Sequence, residues 1–340
     1  MNVADSDDIS DYFAYNGCLK CDKPDNADII VINTCTVRQH AEDRALSFIG
    51  TLKPLKKKNK NLKIFIVGCA ASRLKNKLKE QFPFVNGVIP AYEMEDFRPL
   101  SGGDPLKEIM GRANHTSRFV TISRGCSNYC AYCVVPYVRG EEICRSYSEI
   151  EKEIFFVLKN NIQEITLLGQ NVNSYKDVKS GMDFADLLST ICKIPEIEKI
   201  SFMTSHPKDL SDKIISAICE NKKISRSVHL PVQSGSNRVL KLMNRQYTRE
   251  EYLNLAKKMK KEIPGLILST DIIVGFPTET ERDFRETLEL VKETGYNSAF
   301  TFKYSPREGT KSFFMEDDVP IAVKKTRLAE LNKLVKSAKK

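Results

Sequence analysis

No uninterrupted apolar run in this sequence approaches the roughly 18 residues that a membrane span needs. The longest stretches, around 64–71 and 266–276, read instead as buried strands. The first residues, Met-Asn-Val-Ala-Asp-Ser-Asp-Asp, are acidic and polar. They carry no sign of a signal or transit peptide, and a cytoplasmic protein without a membrane partner is expected. Cysteine is too sparse, at 10 in 340 residues, for a small secreted disulfide scaffold. Its uneven clustering favours metal ligation in a reducing compartment. There is no acidic surplus either, since the formal net charge is +9. Residues 1–111 hold 16 Lys+Arg against 15 Asp+Glu, and the remainder 37 against 29. A basic excess on the later part suits a polyanion such as RNA, and equally an ordinary lysine-rich solvated surface.

What is present is concentrated in one loop, Ser123-Arg124-Gly125-Cys126-Ser127-Asn128-Tyr129-Cys130-Ala131-Tyr132-Cys133. Thiolates are soft ligands that select zinc, copper(I) or iron–sulfur clusters. A structural zinc site is normally closed by four protein ligands. Cys126, Cys130 and Cys133 come without a fourth ligand in the loop, as in a [4Fe–4S] cluster with one iron left open. The alternative is a zinc knuckle completed by His115 or Cys144.

The apolar, β-branched run over 28–33 predicts a buried strand, leading into Thr34-Cys35-Thr36 and a helix over 37–58. A second strand over 63–68 leads into Cys69 and another helix, and a short strand follows over 85–89. Alternating strands and helices imply a parallel sheet. Cys35 and Cys69 then both lie just past the carboxyl end of a strand, the edge where ligand sites gather in open α/β sheets. Each alone reads as a buried structural cysteine, but their equivalent positions allow both to reach one metal centre. Residues 98–115, rich in Pro and Gly, read as a linker.

From 116 onward strands are expected over 119–123, 164–168, 198–202, 226–230, 266–273 and 298–303. Helices are expected over 147–160, 183–193, 208–221, 248–261, 279–294 and 320–338. Thr248 and Thr278–Glu281 mark helix starts. Six βα units are too few for a closed eightfold barrel, so an open one is predicted, with its chemistry at the carboxyl-end loops. Gly169, Gln170, Asn171, Gln233, Ser234 and Gly275 are polar or glycine residues on that rim, placed to meet a cofactor or substrate. His206, before a proline, reads as structural.

The cysteine loop resembles that of radical S-adenosylmethionine (SAM) enzymes, and the chain more specifically resembles the MiaB-type methylthiotransferases. The matching stretches are Ile32–Arg38, Val67-Gly68-Cys69, Arg124–Cys133, Val134–Gly140, Leu167–Asn173, His229–Ser236 and Ile273–Pro277. The resemblance implies an α/β fold. Residues 1–103 would form a flavodoxin-like parallel α/β domain, and residues 112–340 a radical SAM core in a partial (β/α)6 TIM barrel. It implies that Cys126, Cys130 and Cys133 hold a [4Fe–4S] cluster whose open iron chelates SAM. Reductive cleavage would give a 5′-deoxyadenosyl radical that takes hydrogen from carbon 2 of a prenylated adenosine beside a tRNA anticodon. Cys35 and Cys69 would be two of three ligands to an auxiliary [4Fe–4S] cluster that supplies sulfur, and a second SAM would supply the methyl group. The implied partners are tRNA, an electron donor such as flavodoxin or ferredoxin, and a sulfur donor, with the chain a monomer.

The sequence departs from the family pattern at both ends. The third auxiliary cysteine would precede Met1, and the small β-barrel RNA-binding (TRAM) domain would follow Lys340, so a fragment or short form is expected. Cys18 or Cys21 could lend the missing thiolate. Cys192 and Cys219, beside isoleucines in helical patterns, read as small core residues. Related branches act on threonylcarbamoyl-adenosine tRNA or a ribosomal protein, and a non-catalytic tRNA-binding remnant is the further alternative.

Overall fold

The computed structural model describes residues 1–37, 39–93 and 117–337. It divides into two compact units, Met1–Asn114 with Val134–Glu141, and His115–Cys133 with Glu142–Lys340. The predicted linker, His115 and the expected boundary between 103 and 112 lie outside the described residues.

The first unit runs α1 (Asn2–Tyr15), β1 (Ile29–Thr34), α2 (Gln39–Thr51), α3 (Lys53–Lys58), β2 (Lys63–Gly68), α4 (Cys69–Gln81) and β3 (Gly87–Pro90), with α5 (Val135–Arg139) counted to it. Its sheet is parallel in the order β1-β2-β3. Ile32, Ile49, Leu52, Ile64, Ile66 and Leu78 form its core. The helix predicted over 37–58 is two helices. Pro54 has no N–H and is tolerated only in a first turn, so the chain breaks at Leu52 and restarts. The acidic start forms α1, which no apolar periodicity announced. It buries Ala4 and, with it, Asp5.

The second unit starts with β4 (Ser117–Thr121) and a short antiparallel pair, β5 (Ser123–Arg124) and β6 (Ile143–Cys144). It continues α6 (Tyr147–Lys159), β7 (Glu164–Leu168), α7 (Phe184–Cys192), β8 (Lys199–Phe202), α8 (Asp212–Glu220), β9 (Ser227–His229) and α9 (Asn237–Leu242). Then come α10 (Arg249–Glu262), β10 (Ile267–Val274), α11 (Glu281–Thr294), β11 (Ser298–Lys303) and α12 (Ile321–Ser337). There are two parallel three-stranded sheets, β4-β7-β8 and β9-β10-β11, and Ile200 of β8 makes a parallel bridge to Ile224, in the segment that leads into β9. Among the described residues β4 and β11 do not pair, so the arc stays open, as its six units required. Tyr252, Phe184 and Phe284 are among the largest fully buried side chains of its core.

The helix expected over 208–221 starts only at Asp212, capped by Ser211, because Pro207 falls in a separate short turn. The start expected at Thr278 lies two residues later. Thr280 is the cap and forms a capping box with Asp283, while Thr278 has a left-handed φ of 66°. Thr280→Ala is expected to cost about 1 kcal/mol of stability, read by urea unfolding. No helix among the described residues is long and apolar enough to cross a membrane.

Candidate cluster and cofactor site

The cysteine loop leaves β5 through Gly125 (φ 77°) and turns at Tyr129 (φ 46°). The segment after α9 fastens it. Ala131 N donates to Met243 O (2.9 Å), and Asn244 Nδ2 donates to Tyr129 O (3.0 Å) and Asn128 O (3.3 Å). Ser312 N donates to Ala131 O at 2.8 Å. Ala131 and Tyr132 pack with Val239, Met243, Phe276 and Tyr304. Cys130 is buried, Cys126 and Cys133 are half-buried, and Cys133 N donates to Cys130 O (2.9 Å). Burial pushes the Cys126 thiol up, hydrogen bonds from Asn128 oppose this, and neighbouring Cys130 adds to it. None of the ten cysteines forms a disulfide. No three His, Cys, Asp or Glu side chains among the described residues are gathered as a single metal ion would need.

Beside Cys130 stands a residue the sequence reading missed. Arg245 is 3% exposed. Its Nη1 donates to Cys130 Sγ (3.3 Å), Nη2 to Pro231 O (2.8 Å) and Nε to Tyr247 Oη (2.8 Å). An arginine in a polar connection reads as solvated, and no pattern pointed to its burial.

Three rim loops meet here. Val172 N donates to Thr204 O (2.9 Å), His206 N to Asn173 Oδ1 (3.2 Å), and the His206 ring lies edge-on to Tyr247. Asn171 Oδ1, Asn173 Nδ2, Ser205 Oγ, His206 Nε2 and Gln233 Oε1 are buried and have no partner. Buried polar atoms are rarely left unpaired, so this set suits a polar ligand. Burial, with Arg245 and Lys208 nearby, pushes His206 down to about 2, which keeps the ring neutral. Its Nδ1 accepts from Lys208 N (3.3 Å), so the ring proton sits on the unpartnered Nε2. His206 thus belongs to the rim as well as shaping its turn.

The other predicted rim residues divide. Asn171 is anchored by Nδ2 to Asp209 (2.6 Å) and leaves its oxygen unused, and Gln233 is held at φ 71°. Gly169 is buried and Gln170 half-buried beside them. Ser234 instead ties its loop to α11 through Thr287 (3.4 Å), and Gly275 N is taken by Glu279 (2.8 Å). Gly235 packs so closely that an added Cβ would stand 2.5 Å from Thr287 Cα. Gly235→Ala is therefore expected to cost about 1–3 kcal/mol, measured by thermal or urea melting.

In the first unit Cys35 follows β1 and buried Cys69 opens α4, each within electrostatic reach of the other. Gly68 sets the turn with φ 93°; a Cβ there would come within 2.4 Å of Asn33 Oδ1 and 2.6 Å of Thr34 O. Thr34 Oγ1 donates to Val67 O (2.6 Å) and accepts from Ala71 N (3.3 Å), locking the two loops together. Thr36, Glu42 and Arg73 form a second clasp. Arg139 donates from Nε to Cys69 Sγ (3.1 Å) and from Nη2 to Asp5 (2.7 Å). Burial pushes the Cys69 thiol up, and Arg139 opposes it. A cavity of about 680 Å³ opens beside Cys35, lined among others by Asn33, Arg44 and Phe48.

Cys18 and Cys21 are exposed, and Cys21 Sγ donates to Lys23 O (3.0 Å). Cys192 and Cys219 are half-buried against the main core. Cys144 pairs with Ser123 across β5 and β6 and accepts from Lys176 N (3.5 Å).

A family model described as the Radical SAM superfamily matches residues 120–291. A second, described as Uncharacterized protein family UPF0004, matches residues 1–90. An open arc of parallel strands with three thiols and a polar cradle on its carboxyl rim, matched in this way, is a radical SAM protein. A Clostridium tetani protein named tRNA-2-methylthio-N(6)-dimethylallyladenosine synthase is 46% identical over 98% of this chain and 78% of its own length. A Clostridium perfringens protein of the same name is 45% identical over 100% of this chain and 80% of its own. The chain belongs to this family of radical SAM tRNA methylthiotransferases.

Solved structures share the fold. The radical SAM methyltransferase TsrM of Kitasatospora setae, solved with cobalamin and a [4Fe-4S] cluster, gives a TM-score of 0.63 at 11% identity, covering 90% of this chain and 68% of that one. The cobalamin-dependent radical enzyme OxsB gives 0.56 at 14%, covering 92% of this chain and 48% of that one.

Proposed function

We propose that this chain methylthiolates carbon 2 of the prenylated adenosine beside the tRNA anticodon, as a tRNA-2-methylthio-N6-dimethylallyladenosine synthase. One observation carries the reading. A chain 46% identical to such synthases carries Cys126, Cys130 and Cys133 in one unit and Cys35 and Cys69 in the other. The three-thiol loop with its unpartnered rim fits a [4Fe–4S] cluster and SAM. Cys35 and Cys69 supply two thiols for a second cluster. In outline, residues 1–103 carry the sulfur-supplying centre and residues 112–340 the SAM-cleaving one.

Cys126, Cys130 and Cys133 would hold the first cluster, and Cys35 with Cys69 the second. When bound, the clusters and SAM supply the one-electron cleavage, the carbon radical and the sulfur that no side chain can provide. The protein's own part is positional. His206 Nε2–H and Asn173 Nδ2 offer donors, while Asn171 Oδ1 and Gln233 Oε1 offer acceptors. This mixture suits the amino, carboxylate and ribose hydroxyl groups of SAM. His206 stays neutral and donating across the physiological range, so its contact does not switch with pH. The basic surplus after residue 111 suits tRNA phosphates. The reaction further calls for an electron donor such as flavodoxin or ferredoxin and for a sulfur donor, met by a cytoplasmic monomer.

Anaerobic reconstitution tests the reading through iron and sulfide. Two clusters give about eight irons per chain and one gives about four. Zinc without sulfide would overturn it. Nucleoside analysis of tRNA from a deletion strain tests the substrate: the methylthiolated prenyl adenosine is expected to disappear. Its persistence would point to threonylcarbamoyl-adenosine tRNA or a ribosomal protein instead.

A further inference from the structure

Two buried arginines each donate to the sulfur of one proposed cluster ligand, and they differ in their counter-charge. Arg139 reaches Cys69 and is paired with the Asp5 carboxylate at 2.7 Å, which offsets part of its charge. Arg245 reaches Cys130, and its other partners are a carbonyl and a phenol. No carboxylate among the described residues forms an ion pair with it. A charge held in a dry interior without an opposite charge is costly, so the site around Cys130 has a standing demand for negative charge.

We propose that Arg245 is the built-in counter-charge of the Cys126/Cys130/Cys133 cluster and raises its reduction potential. Three thiolates around an iron–sulfur core bring the negative charge that the site lacks, and reduction adds one more electron. An adjacent cation stabilises the reduced state more than the oxidised one, and the low dielectric strengthens the effect. Hydrogen bonds to cluster sulfurs and net charge are among the factors that set such potentials. Arg245 acts through Cys130 and is a positioning residue. Arg139 also acts on the Cys69 sulfur, with the Asp5 carboxylate offsetting part of its charge. The inference rests on the proposed reading of the three thiols as cluster ligands.

The test is an EPR-monitored redox titration of the anaerobically reconstituted full chain, in a Cys69→Ala background so that one cluster gives the signal. Arg245→Gln is expected to lower the equilibrium constant for reduction at least tenfold, which is 59 mV for a one-electron couple. Arg245→Lys, which keeps the charge, is expected to recover most of that fall. An unchanged midpoint in Arg245→Gln with the iron content retained overturns the inference. If Arg245→Gln fails to fold or to hold iron, Arg245→Lys decides. Retained iron at a potential close to that of the parent supports the inference, while absent iron or a tenfold fall overturns it. If the parent chain itself binds no iron, it is the reading of the three thiols that fails.

Discussion

Cys130→Ala is expected to bring reductive cleavage of SAM down to background and to halve the iron of the reconstituted chain, from about eight to about four. Of the three loop thiols it is the most buried, and the structure fixes it most firmly. The residues on either side of it are bonded to Asn244 and Met243, and its sulfur is the acceptor for Arg245. Removing the sulfur takes away a ligand and leaves a buried guanidinium with one donor unmet, a loss of about 1–3 kcal/mol. The apoprotein should therefore melt lower as well. Cys130→Ser is expected to fare little better as a ligand, since a hydroxyl is a hard donor where iron–sulfur chemistry selects soft ones. Cys192→Ala is the matching control: Cys192 packs against the main core, outside the cluster that holds the loop, and should leave iron and SAM cleavage intact. SAM cleavage that survives Cys130→Ala would remove this loop from the chemistry.

Much of the fold was legible because strand and helix periods differ. The strand expected over 164–168 is β7, and that over 298–303 is β11, to the residue. Short elements with no room for a period were missed, among them α9 and the β5–β6 pair. So was α1, whose charged sequence buries Asp5 only because Arg139, far along the chain, meets it. The thiols of the site were legible because soft ligands at close spacing have few other uses. The rim was legible only in part. Gln233 and Ser234 are adjacent and chemically alike, yet one presents an unpartnered oxygen and the other braces α11, a difference set by Thr287 some 50 positions away. Arg245 and Arg139 were not legible at all. A buried arginine is recognised by its partners, and theirs are Cys130 and Cys69, 115 and 70 positions distant.

Cys69→Ala is expected to separate the two halves of the reaction: SAM cleavage stays near the parent rate, methylthiolated product falls to background, and iron again falls to about four per chain. The expectation follows from where the side chain sits. Cys69 is the first residue of α4, behind a glycine whose φ of 93° turns the chain from β2 into the helix. Thr34 bridges that turn to the end of β1, one residue before Cys35. The two loops thus move as a piece, and alanine at 69 keeps the backbone that positions Cys35 while removing one sulfur. Arg139 retains Asp5, so no charge is stranded, but its Nε loses the sulfur acceptor, and the variant should fold with a loss of about 1–3 kcal/mol. The loop of Cys126, Cys130 and Cys133 is fastened through Met243, Asn244, Ser312 and Arg245, which is why cleavage should persist. Reverse-phase separation of 5′-deoxyadenosine, together with mass spectrometry of the digested tRNA, reads both halves in one reaction. Methylthio product from Cys69→Ala would mean that the sulfur does not come through this centre; loss of SAM cleavage along with the product would mean that the two centres do not divide the work.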